Sequence, residues 1–206
     1  MYKQIGVIAV LLLGMSGCGK STPESAGASS QPVIVGEVTP ASYDSAVKET
    51  LANAMVLMNS AKPTEPELDA DIGKIEALLA LSEKNDVDKE RAHEASLMST
   101  LGTLYARKAA NNRSNPRTAG ALIAKSYRYL DKAITLHPQD LMAKIDRGLI
   151  SARVPDFLGK AELAHDDLKS VEEHPDFGNL TPDLQNTIKQ ALAEVDSRLA
   201  KTGNGQ

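Results

Sequence analysis

The chain has 206 residues, with 23 Lys+Arg against 27 Asp+Glu for a net charge of −4; aromatic residues make up 3% and Trp is absent. That balance excludes a general nucleic-acid binder, which needs a basic excess or stripe, and the scarcity of aromatics removes platforms for base stacking. The core must come from Leu, Ala, Ile, Val and Met, and the length beyond any leader suits one compact domain.

The first residues satisfy two incompatible patterns. Gly14-Met15-Ser16-Gly17-Cys18-Gly19-Lys20-Ser21 matches the phosphate-binding loop G-x-x-x-x-G-K-[ST] letter for letter. Such a loop must feed a helix whose free N–H groups face phosphate. The next residues, Thr22-Pro23-Glu24-Ser25-Ala26-Gly27, have no apolar face and place a proline where helix interior is needed, at a cost of about 3 kcal/mol or more. The rest of the chain also lacks the Val/Ile-rich runs of a parallel sheet. A nucleotide hydrolase is therefore a remote alternative.

An export signal accounts for the same letters better. Lys3 supplies a positive start, residues 5–13 are apolar apart from Gly6, and small Ser16 and Gly17 precede Cys18. The apolar run is too short for a transmembrane helix, which needs about 20 residues. Met15-Ser16-Gly17-Cys18 resembles the lipobox of bacterial lipoproteins, with Met where Leu is usual. The resemblance implies residues 1–17 as signal peptide, Cys18 as the lipidated first residue of the mature protein, and palmitate among its acyl chains. Cys18 is the single cysteine, so no intramolecular disulfide competes for it. In that family Gly19 rather than Asp after the cysteine implies an outer-membrane destination, facing the periplasm, where the cell has one. An ordinary cleaved signal with an incidental Cys is the competing reading.

Residues 18–41 are rich in Ser, Gly, Ala and Pro and read as a flexible tether. Val33-Ile34-Val35 fits an extended linker, a short strand-like piece or a docking piece. From Ser42 to residue 203 the pattern is helical. Tyr43, Val47, Leu51, Met55 and Met58 form one apolar face. Thr64-Glu65-Pro66-Glu67 starts a second helix, with Thr64 as N-cap, Glu67 three residues on and Pro66 in the first turn. Leu68, Ile72, Ile75, Leu78 and Leu79 are its apolar side. Asp88 is expected to cap a third, carried by Ala95, Met98, Leu101 and Tyr105 and broken across residues 111–116. Pro116 opens a fourth helix that His137-Pro138 closes, because the residue before proline is pushed from helical angles. Residues 141–153 and 155–174 make a further pair closed by His174-Pro175. Thr181-Pro182 starts the last helix, with Leu184, Ile188, Leu192, Val195 and Leu199 on one stripe and Gly203 past its end. The expected fold is all-α: about seven helices in antiparallel pairs, solenoid or bundle, with a C-terminal capping helix.

The two His-Pro closures point to an internal repeat. Leu101-Gly102-Thr103-Leu104-Tyr105, with Met98 upstream, resembles the first-helix core of the tetratricopeptide repeat, and Ser126, Leu130, Ala133 and Pro138 sit at the offsets of its second helix. The segment between is longer than that family's. The next unit keeps Gly148 and Pro175, with Arg147 where the family has Leu. The segment Pro155-Asp156-Phe157-Leu158-Gly159-Lys160-Ala161 is similar to a turn in some exported bacterial members. Physically, Gly102 and Gly148 mark places where paired helices approach closely.

No catalytic constellation emerges, so the chain is expected not to be an enzyme, with no cofactor. His93, His137, His165 and His174 show no i,i+4 pairing, and no metal site is expected. Asp166-Asp167 and Glu172-Glu173 are adjacent pairs expected on solvated faces. The resemblance implies a groove lined by the first helix of each pair: Ser96, Ser99, Thr103 and Arg107, then Met142, Ile145, Leu149 and Arg153. Arg107 and Arg153 fall at matching offsets after Gly102 and Gly148 and can clamp a carboxylate. Two exposed arginines favoured by a helix C-terminus is the alternative. These readings give a lipid-anchored scaffold or adaptor of the bacterial envelope that binds a protein partner; the alternative of the same architecture is a ligand-binding or substrate-delivery protein beside a transporter.

Overall fold

The structure, a computed structural model, describes residues 38–85, 87–88 and 91–203. Seven α-helices follow one another among them: α1 Pro40–Asn59, α2 Glu65–Asn85, α3 Ala92–Asn111, α4 Pro116–Leu136, α5 Leu141–Arg153, α6 Ala161–Glu172 and α7 Pro182–Gly203. No strand occurs among the described residues. The fold is all-α and built of packed helix pairs. No helix among these residues is long and apolar enough to cross a membrane.

Local chemistry sets most helix ends. α1 begins at Pro40, ahead of the expected Ser42, because Thr39 and Ser42 cap each other: Ser42 N–H donates to Thr39 Oγ1 at 3.2 Å, and Thr39 N–H to Ser42 Oγ at 2.9 Å. At α2 the Thr64–Glu67 box forms as its letters predict, with Thr64 N–H donating to Glu67 Oε2 at 2.8 Å. Asp88 does cap α3, from an unusual distance. Its Oδ2 accepts from Glu94 N–H at 2.8 Å while Arg91 between them takes a left-handed φ of 54°. Residues 155–174 differ from expectation. They are not one helix: a short 3-10 turn, Asp156–Leu158, ends at Gly159 with φ 61°, and α6 starts only at Ala161.

Two cores result. α1, α2 and α3 enclose Tyr43, Val47, Leu68, Ile75, Leu78, Leu97, Leu101 and Leu104. Ile145, Ala164, Leu168, Leu184, Ile188 and Val195 join α5, α6 and α7. The pairs α3–α4 and α5–α6 have the most extensive contacts, and α1, α3, α5 and α7 also meet one after another. Each of the two pairs contains the same device. A Cβ added to Gly102 would lie 2.6 Å from Leu130 Cγ, and one added to Gly148 would lie 2.8 Å from Leu168 Cδ2. The missing side chains let the backbones approach.

Arg147, where a leucine was expected, explains itself here. Its Nε and Nη2 donate to Asp167 Oδ2 and Oδ1, both at 2.7 Å, and its Nη1 to Asp131 Oδ1 at 2.6 Å. One guanidinium thus ties α5 to α6 and α4. Asp167 is buried, contrary to the solvated face expected of it; Asp166 alone faces water.

Candidate functional site

Ser99, Thr103 and Arg107 recur along one side of α3, the side that meets α5. The expected open groove is largely a closed seam at this point. Ser99 and Thr103 of α3 are buried against Asp146 of α5, and Arg107 against the end of α1, while Ile145 and Leu149 of α5 turn to the second core with α6 and α7. Ser96 and Met142 are half-buried.

The two arginines have different fates. Arg107 is 8% exposed, and its Nη2 donates to the carbonyl oxygens of Met58, at 3.0 Å, and Ser60. Those carbonyls close the C-terminal end of α1, where a cation satisfies orphan acceptors and the negative end of the macrodipole. Arg198 of α7 does the same for α5, its Nη1 reaching Ala152 O at 2.5 Å and its Nη2 Val154 O at 3.3 Å. Arg107 is therefore not one arm of a free clamp; its Nε is buried and has no hydrogen-bond partner among the described residues. Its burial also means that replacing it would uncap α1, so the double replacement of Arg107 and Arg153 is no neutral surface change.

Arg153 is exposed and makes no hydrogen bond or ion pair among the described residues. The guanidinium nevertheless lies close enough to protein to be partly desolvated, which lowers its pKa; Arg107 lowers it further and Glu194 of α7 raises it. That mutual influence places Arg107 and Arg153 within electrostatic reach of each other. An anion settling at Arg153 would relieve the repulsion and gain a charge-assisted hydrogen bond. One exposed guanidinium stands where a two-armed clamp was expected.

Asp146 is the residue that sequence reasoning missed. Its carboxyl lies deep between α3 and α5 although part of the residue reaches the surface, and Ser99 Oγ donates to its Oδ2 at 3.0 Å. Desolvation pushes its pKa from 3.8 up to about 7, against the pull of hydrogen bonds from Ser99 and Thr103 and with a small push from Asp140. In the unfolded chain the same group ionises near its ordinary value, so between about 4 and about 7 the folded state holds the extra proton. Its contribution to stability is thus complete at the acid end and is lost as pH rises through that window. Asp146→Asn should flatten this part of the stability curve and stabilise the protein above it. Urea midpoints measured below and above the window check this; parallel curves for both proteins would refute it.

Cys18, Lys20 and Val33–Val35 lie outside the described residues, as does the expected tether up to residue 37; its last residues, Pro40 and Ala41, belong to α1. Among the described residues no three His, Cys, Asp or Glu side chains converge as a metal site. Comparison of the chain with protein-family models, with curated proteins and with solved structures found no match.

Proposed function

We propose that this chain is a lipoprotein of the bacterial cell envelope, anchored through acylated Cys18, whose tetratricopeptide-like helical domain serves as a scaffold or adaptor for a protein partner. Where the cell has an outer membrane, it sits there facing the periplasm. Two acyl chains or more make such an anchor stable, since one alone binds only marginally. The repeat-like reading draws support from the matching Gly102–Leu130 and Gly148–Leu168 contacts in successive helix pairs. The partner-binding reading rests on one observation: Arg153 presents a guanidinium with no hydrogen bond or ion pair among the described residues, beside the meeting of α3, α5 and α7.

The test uses the intact protein recovered from membranes. Mass spectrometry should find the mature chain starting at an acylated Cys18; an unprocessed chain starting at Met1 in the soluble fraction would defeat the anchor. Affinity capture should recover a partner that Arg153→Ala loses, while its stability stays within about 0.5 kcal/mol of wild type, as for an exposed site. Equal yields from both proteins would remove Arg153 from the binding surface.

A further inference from the structure

Beyond the Arg153 surface, one stripe of α4 borders a cleft. Leu130 and Ala133 turn inward and are fully buried. The neighbouring stripe of the same helix, which includes Ile123, Ala124, Tyr127 and Asp131, borders a cleft of about 600 Å³ whose other wall is Leu158 and Lys160 of the α5–α6 connection. Sites that seat a side chain or small ligand have this size, about 300–1,000 Å³.

Charge is unevenly placed around it. Arg128, Lys132 and Lys160 line the cleft, and none of them forms an ion pair with a carboxylate among the described residues. Lys160 Nζ instead sits 4.6 Å from the centre of the Tyr127 ring, and the Arg128 guanidinium 5.7 Å from that of Tyr129. The carboxylate in the lining, Asp131, is held by Arg147 at 2.6 Å. A chain of net charge −4 therefore carries a locally cationic cleft. Phe157, next in the chain to the lining residue Leu158, is 86% exposed. The turn presenting it is held in place: Leu158 N–H donates to Pro155 O at 3.0 Å, Gly159 N–H to Asp156 O at 2.9 Å, and Arg198 Nε to Asp156 at 2.7 Å.

We propose that this cleft docks an acidic peptide segment of a protein partner, seating one apolar side chain against Ile123, Ala124 and Leu158 while its carboxylates meet Arg128, Lys132 and Lys160. The cations select charge and speed encounter, and the apolar floor supplies the buried contact. A concave apolar floor distinguishes this occupant from a flat anionic membrane, which needs cations but fills no cleft.

Full-length mature protein is titrated against fluorescein-labelled synthetic peptides: acidic ones with a single Leu or Phe, the same with Ser at that position, and lysine-for-glutamate counterparts. Saturable binding is expected for the acidic apolar peptides only. Arg128→Glu with Lys132→Glu, both exposed, should weaken it by about tenfold or more, as should Ala124→Trp, which fills the cleft; Lys62→Glu, remote in sequence on the α1–α2 connection, should not. Unchanged circular dichroism and melting temperature confirm that each variant is folded. The proposal fails if no acidic peptide saturates, or if Ala124→Trp leaves binding intact. It fails equally if phosphatidylglycerol vesicles bind through the same cations while peptides do not.

Discussion

Arg147→Leu should destabilise the domain by about 3 kcal/mol, although it restores the residue that a tetratricopeptide-like pattern expects at this place. The loss comes from what the guanidinium leaves behind. Asp167 is 5% exposed, and its two carboxylate oxygens receive paired hydrogen bonds of 2.7 Å from Arg147. Removing one partner of a buried pair leaves an uncompensated charge, at about 3–5 kcal/mol; the lower end applies because Arg147 is only partly enclosed. Asp131 contributes little to the figure, since its side chain is 56% exposed. For a domain of this size about 3 kcal/mol lowers the melting temperature by about 6–12 °C. The informative comparison is Arg147→Leu with Asp167→Leu. If the cost is an orphaned carboxylate, the double variant should recover most of the loss, because apolar replacement of a whole buried pair is often neutral. Urea unfolding of the three proteins measures this; a double variant no better than the single one would mean the loss lies in packing.

Gly102→Leu should be comparably damaging for the opposite reason, too much matter. The first added atom already falls 2.6 Å from Leu130 Cγ and 3.1 Å from the backbone oxygen of Ser126. The leucine can shift, but the carbonyl of α4 moves only with its helix. Overpacking of this kind costs about 1–3 kcal/mol, and leucine belongs at the upper end. Gly73→Ala is the counterpart. An added Cβ there meets nothing within 4 Å on α2, so the gain in helix propensity should stabilise the protein by about 0.5–1 kcal/mol. Thermal or urea unfolding should show the two glycines responding with opposite sign; destabilisation at both would mean that the close approach at Gly102 is not what its glycine serves.

Several features were readable because they depend on neighbours in the chain. The reciprocal Thr64–Glu67 cap, the break between Asn111 and Pro116, and the helix ends at His137-Pro138 are decided within a few bonds, by hydrogen bonds to free N–H groups and by proline sterics. The all-α class followed from the same local signals. The extent of α6 did not: the left-handed Gly159 breaks residues 155–174 where apolar spacing alone reads as continuous helix. Asp167 misled for another reason, since an acidic pair on a helix looks solvated unless its partner on another helix is known.

By itself, the sequence determined the all-α class and the approximate ends of most helices, together with an acidic net charge and few aromatic residues. Those properties rest on local hydrogen bonding, proline and glycine backbone limits, and composition. Tertiary structure decided which polar groups are buried and what they touch. It sent Arg107 to the end of α1, enclosed the Asp146 carboxyl between α3 and α5, joined Arg147 to Asp167, and left Arg153 exposed, without a hydrogen bond or ion pair among the described residues. Desolvation and pairing across helices depend on distances between residues far apart in the chain, and periodicity along one helix carries no information about them.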